Sequence, residues 1–379
     1  TSGGAFTVNL PAGSAGAIIS VSDYTRTFQT NNLTISPNGS EKIGGQAFDA
    51  TLSTEGQSAT FVYVDATEGW INTQETSNSV TGISPFIVAT GGTESTSGNF
   101  KIHTFTGPGT FTVSGIGGTV ANNVVSYMVV AGGASGGASY GGGGGAGGFR
   151  EYKSPVDSYT ASPLNGNPGG TEITVTAQGY PITVGAGGAS RPGSPTQVGA
   201  PGSNSIFSTV TSAGGGGGGG TGSPLAGLPG GSGGGAGRDE TTNNGSGNTP
   251  PVSPPQGNDG GQPAGSSWNG GGGGGGATAA GGNGGGGSPG SETAGNGGTG
   301  ATTCITASPV GYAGGGGGSN SRNDAPTGTA SQGGGAGFNP GRAAVAGTTN
   351  TGGGGGGSHS CNASGAGGSG IVVIRYRFQ

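Results

Sequence analysis

The sequence predicts a mainly β protein with essentially no α-helix: a small N-terminal β module, an antiparallel β base, and a bundle of polyproline-II-like glycine-rich helices. Three observations lead there. Short runs rich in β-branched and aromatic residues are bounded by Gly, Pro, Asn and Ser turns. No segment repeats its apolar residues at the helical period. Glycine supplies 101 of the 379 residues and is unevenly spread, with 18 in residues 1–130 and 83 in the other 249.

Residues 1–76 read as one β module. Its strands are "AFTVNL" (5–10), "GAIISVSDY" (16–24), "NLTIS" (32–36) and "SATFVYVDA" (58–66), and Trp70 closes it. "NTQETSNSVTG" (72–82) reads as a polar linker. Residues 77–130 combine linker and β base, with strands at 86–92 and 124–133 and a hairpin around "GPG" in "KIHTFTGPGTFTV". Further strands are expected at 171–177, 180–188 and 205–215, and "SGIVVIRYRF" is a strong final strand. Residues 371–379 should therefore return to the base after the glycine-rich region, 131–370. A disordered tail has no reason to end in an apolar strand.

Glycine at one-third suggests collagen, but runs such as 214–220 and 352–357 lack its strict third-residue period. The alternative is a lattice. Polyproline-II rods have three residues per turn and no internal hydrogen bonds. Packed side by side they satisfy their amides laterally, and glycine permits the close approach. Counting back from the last strand gives tracts 365–370, 352–357, 333–337, 313–318, 295–300, 281–287, 269–276, 230–237 and 213–222. If successive tracts are antiparallel, connections 358–364, 319–332, 288–294 and 238–268 emerge at one end. Connections 338–351, 301–313, 277–280 and 223–229 emerge at the other. The first set is polar, with Arg238, Asp239, Glu240, Asp259, Glu292, Arg322, Asn323, Asp324 and His359. The second carries Arg342 as its one charge, with Leu225, Leu228, Ile305, Val310, Tyr312, Phe338 and Val345, and suits a seat on the β-strands.

Charged residues are 7% of the chain and the net charge is −5, which is no footprint for nucleic acid. No apolar run approaches the length of a transmembrane helix. Catalysis has little to draw on. His103 lies mid-strand, His359–Cys361 with Cys304 lacks tetrahedral metal spacing, and the count puts the two cysteines at opposite ends. No glycine run is followed by the GK[ST] of a phosphate loop. No catalytic residue, cofactor or metal is expected. Binding is better supplied: Trp268 ends the longest polar connection near Arg238, Asp239 and Glu240, where an aromatic face suits a sugar ring. "NTPPVSPPQ" (248–256) reads as a stiff extended segment there.

"GNFKIHTFTGPGTFTVSG", "VSYMVVAGGASGGASYGGGGGAGGFREY", "YPITVGAGG" and "GGSGIVVIRYRF" together resemble the glycine-rich domain of phage tail fibres and related bacterial surface proteins. The likeness runs from Ser97 to Phe378. Residues 5–70 resemble a small β module of tail fibres and tail spikes. The resemblance implies a virion tail fibre or adhesin, extracellular, with other tail proteins as partners and a homotrimeric N-terminal module. It also implies that loops at the far end of the bundle choose the host receptor, a glycan or an outer-membrane protein. Candidate receptor-binding residues are then Arg238, Asp239, Glu240, Trp268, Glu292, Arg322, Asn323, Asp324 and His359. The rival expectation is a bacterial surface or filament protein that uses the bundle as a spacer; a polysaccharide depolymerase and an ice-binding face rank below it.

Overall fold

The computed structural model describes residues 3–75, 86–193, 197–221, 225–238, 244–263, 270–286, 291–320, 327–338 and 343–379. The chain forms two compact units, Thr1–Val88 with Gly115–Asn122, and Ala89–Ser114 with Asn123–Gln379. The fold is mainly β with no α-helix among the described residues.

In the first unit, strands β1 (Phe6–Asn9), β3 (Leu33–Ser36) and β4 (Ala50–Leu52) form one sheet. Strands β2 (Ile18–Ser22), β5 (Ser58–Asp65) and β6 (Gly69–Glu75) form another. Alternation along β5 sends Ala59 and Phe61 inward, where they meet Leu33, Ile35, Leu52 and Trp70 in the core. Two strands escape the sequence reading. Ala50–Leu52 is only three residues long, and residues 72–75, taken for linker, continue β6 opposite β5. Residues 76–82 lie outside the described residues.

The base of the second unit consists of two five-stranded sheets. Strands β7 (Val88–Thr90), β10 (Gly109–Gly115), β13 (Gly179–Thr183), β14 (Ser205–Phe207) and β15 (Val210–Ser212) make one, in the order β15-β14-β13-β10-β7. Strands β8 (Thr93–Ser97), β9 (Phe100–Phe105), β11 (Ser126–Val130), β12 (Phe149–Tyr152) and β18 (Ile371–Arg377) make the other, in the order β12-β11-β18-β9-β8. A ribbon of β16 (Ala301–Thr303) and β17 (Val310–Tyr312) stands apart. The "GPG" segment therefore does not close a hairpin. It carries the chain from one sheet to the other, and β8 and β9 form the hairpin instead. Residues 171–177 make only the bridge Val124↔Thr174 rather than a strand.

Aromatic contacts join the two sheets: Phe111 meets Tyr376 at 6.0 Å, and Tyr127 meets Phe207 at 5.9 Å. The final strand lies between β11 and β9 and pairs with both along its length. Arg375 on that strand is buried and its Nε lies 3.0 Å from both carboxylate oxygens of Asp157. Removing either partner strands a buried charge, a loss of about 3–5 kcal/mol.

Above the base the glycine-rich chain forms a lattice. In tract 131–138, the N–H groups of residues 131, 134 and 137 donate to Gly148, Gly145 and Gly142. Those of 132, 135 and 138 donate to Ser203, Ala200 and Gln197, and those of 133 and 136 to Gly368 and Gly365. Three directions recur every third residue, as threefold rods require. Tract 141–148 is buried throughout. It donates to 213–219, 272–275 and 352–358 and accepts from 131–137, 232–235 and 316–319. Six neighbours surround one rod, which is hexagonal packing.

Interior position demands glycine. A Cβ on Gly143 would sit well inside van der Waals contact with the carbonyl oxygen of Gly316, and one on Gly274 would overlap that of Gly144. Outer rods need bare backbone only on the inward side. In 291–300, for example, Glu292, Gly295, Gly298 and Gly300 are buried while Thr293, Asn296 and Thr299 are exposed.

Outer rods correct the loop assignment. Segment 238–268 is not one connection: 244–248 descends, Gln256 reaches β12 and accepts from Ala213 N at 2.8 Å, and 258–263 ascends beside 233–236. Pro250–Gln256 therefore lies at the base rather than with the polar loops. Leu225 and Leu228 belong to a rod running beside Gly217–Gly220, not to a basal loop. Val345 is half exposed on another outer rod. Phe338 stands at the polar end, while Ile305, Val310 and Tyr312 do pack on the base. Arg342 lies outside the described residues.

Two outcomes test this construction. Gly143→Ala forces a methyl into neighbouring backbone and should destabilise the second unit by about 1–3 kcal/mol or more. Gly107→Ala, with open space around it, should leave the thermal midpoint nearly unchanged. His103 is fully buried, with Nδ1 2.6 Å from the Gly91 carbonyl oxygen and Nε2 3.1 Å from the Tyr376 hydroxyl. Burial, aided by Lys101, holds its pKa below the ordinary value of 6.5. A depressed histidine pKa means the unfolded chain takes the proton first. Its stabilising contribution is complete above about pH 6.5 and declines as pH falls toward the folded-state pKa, by up to about 1.4 kcal/mol per pH unit. Denaturant melts of the parent and His103→Gln between pH 7.5 and 5 should show that slope only in the parent.

Candidate functional site

The rods end away from the base in a group of turns whose side chains meet. The first reversal passes from Ala138 to Gly141 through Ser139 and Tyr140, at φ +56° and +57°. Gly137 N donates to Gly142 O across it at 2.9 Å. Two successive left-handed residues give the tight reversal that fits antiparallel neighbours. The conformation costs a residue other than glycine about 1–2 kcal/mol. A chain with so much glycine nonetheless places tyrosine there.

Tyr140 is the hub of the cluster. The Arg238 guanidinium lies over its ring, 4.0 Å from the centroid, and Arg238 N donates to its carbonyl at 3.1 Å. His359 meets the same ring edge to face at 4.6 Å. Phe338 stacks on His359 at 5.5 Å with 7° between planes. Phe338 is buried, whereas Tyr140, Arg238 and His359 are half-buried. Backbone bonds fix the frame: Gly141 N to Ser358 O, Ser319 N to Gly141 O, and Phe338 N to Gly357 O. Asn320 Nδ2 donates to the carbonyl of Glu292 at 3.0 Å, and both residues are buried.

Three sequence-predicted residues, Arg238, Glu292 and His359, thus stand at one end of the bundle. Arg238 and His359 touch a common ring, and Glu292 is buried with Asn320 beside them. Asp239, Glu240, Trp268, Arg322, Asn323 and Asp324 lie outside the described residues. Their described neighbours Arg238, Gly270 and Asn320 are at this end. Sequence reasoning missed Tyr140 and assigned Phe338 to the other end. The available signal for Tyr140 was a lone aromatic between two glycine tracts, where a chain reversal must fall.

A family model decides what this lattice is. The glycine-rich domain matches residues 106–377. The chain belongs to the glycine-rich domain family. No curated protein matches it. Within the glycine-rich domain the buried acids are committed to structure. Glu151 accepts from Thr303 Oγ1 at 2.5 Å, Tyr159 OH at 3.1 Å and Ser162 N at 2.8 Å. Asp157 accepts from Arg375 and from Ser126 Oγ at 2.8 Å. Cys304 packs on the basal core and Cys361 is exposed on the far turn. Among the described residues no three His, Cys, Asp or Glu side chains stand together as metal ligands. The polar end offers aromatic edges, a guanidinium and an imidazole on a stiff frame, which is chemistry for binding.

Proposed function

We propose that the chain is part of a bacteriophage tail fibre or adhesin, and that the polar end of the bundle contacts a receptor on the host surface. Tyr140 carries the reading. Strain at a left-handed tyrosine persists where the surroundings enforce it, and such outliers gather at functional sites. Glycine would serve the reversal at lower cost, so the ring is retained for what it presents. Binding residues on turns held by a rigid scaffold are a common division of labour. The N-terminal module would join a homotrimeric fibre and other tail proteins.

Tip substitutions discriminate this from a spacer. Fluorescently labelled chain should adsorb to cells in a bacterial panel, and Tyr140→Gly should reduce adsorption at least about tenfold, or about 1.4 kcal/mol. Its thermal midpoint should stay close to the parent's, because relief of the left-handed strain offsets the lost ring contacts and the greater freedom of glycine in the unfolded chain. Thr299→Ala on the outer side should adsorb as the parent does. Equal adsorption by all three would favour the spacer.

A further inference from the structure

Resting on the adhesin reading, we infer that the polar end takes an acidic saccharide, a sugar ring bearing a carboxylate or phosphate. Arg238 and Arg191 meet the charge, and Tyr140 with His359 meet the ring. The turn containing His359 links both arginines. At its start, His359 lies against the Tyr140 ring, which Arg238 also contacts. At its end, Ser364 is locked to Arg191: Arg191 N donates to Ser364 Oγ at 3.0 Å and Ser364 N to the Arg191 carbonyl at 2.9 Å. The buried Nε of Arg191 has no hydrogen-bond partner among the described residues. A buried donor without a partner costs about 1–3 kcal/mol. An incoming anion that engages this guanidinium draws it outward and relieves that cost.

The Arg238 guanidinium stands 4.0 Å over the Tyr140 ring centroid, and a guanidinium carries its N–H donors in a planar fork that grips carboxylate or phosphate in pairs. Half-buried Tyr140 and His359 beside it supply the amphipathic surface that sugar rings prefer. The turn adds Ser360 and Asn362 for hydroxyls, on a backbone already fixed by Asn362 N donating to His359 O at 3.1 Å.

The test immobilises three oligosaccharides of matched length, a uronic-acid oligomer, a phosphorylated hexose oligomer and a neutral hexose oligomer. Binding of the full chain is measured for the parent, Arg238→Gln, Arg238→Lys, Arg191→Gln and Tyr140→Leu. The parent should bind at least one acidic oligomer about tenfold or more tighter than the neutral one, and the preference should shrink in high salt. Arg238→Gln and Arg191→Gln should each remove about tenfold. Arg238→Lys should recover part of the loss, and Tyr140→Leu should weaken all oligomers alike. The winning acidic oligomer separates carboxylate from phosphate. Thermal melts confirm the fold, and if one arginine variant unfolds the other decides. Equal binding of neutral and acidic oligomers, or arginine variants that match the parent, would overturn the assignment. So would cell adsorption with no saccharide bound, which indicates a protein receptor and leaves the adhesin reading standing. Absence of both saccharide binding and cell adsorption would sink the two together.

Discussion

The structure depends on a backbone N–H meeting a carbonyl on a neighbouring rod, with no Cβ between them. Each such bond contributes a net 0.5–1.5 kcal/mol or so. Fixing a residue's backbone costs roughly 1–2 kcal/mol, and glycine has the most freedom to lose. The hydrogen bond alone does not win that contest. Close approach supplies the rest, because rods without side chains bring backbone atoms into dispersion contact on six sides and allow Cα–H to carbonyl contacts between them. Glycine also loses no side-chain entropy. The interior rods at 131–138 and 141–148 are therefore a core made of main chain, and its tolerance for a methyl group is set by the carbonyl oxygen opposite.

This core needs anchoring at one end. At the base, Ala146, Ala277 and Ala313 at the rod ends join Met128, Phe149, Tyr312 and Ile371 in one apolar cluster. The first rod leaves β11, the second enters β12 and the last enters β18, so three adjacent strands fix the positions of three rods. At the opposite end the described turns are held by no sheet but by bonds between rods and by the stack of Arg238, Tyr140, His359 and Phe338. Geometry set at the strands is thereby transmitted through a stiff bundle to side chains that remain partly open to solvent.

Much of this was legible in the sequence, with a limit that has a physical cause. Uninterrupted runs such as Gly270–Gly276 announce interior rods, since six neighbours leave no direction for a side chain. Outer rods have one free side. Asn258–Pro263 and 343–348 need little glycine, so they read as ordinary polar or apolar loops and were counted as connections. That missing class of rod shifted the predicted ends, sending Phe338 to the base and Pro250–Gln256 to the tip. Ile305 and Tyr312 were placed correctly because they flank pure tracts on both sides. Arg238, Glu292 and His359 each stand close to a glycine tract, which sets them at the polar end. Tyr140 is legible only as a lone aromatic between two glycine tracts, since the left-handed pair that presents it contains no glycine. The GPG segment misled in another way: its local alternation fits a hairpin, but β9 pairs with the distant final strand.

Hydrogen exchange resolved to single amides tests the lattice most directly. If lateral main-chain bonding forms the core, amides of residues 142–148 should exchange only with unfolding of the whole unit, as slowly as those of Val372–Ile374 in the central strand. Exchange at Asn362 on the far turn should be much faster. Amides of 142–148 that exchange at the rate of a solvated glycine chain, while the strand stays protected, would contradict the account.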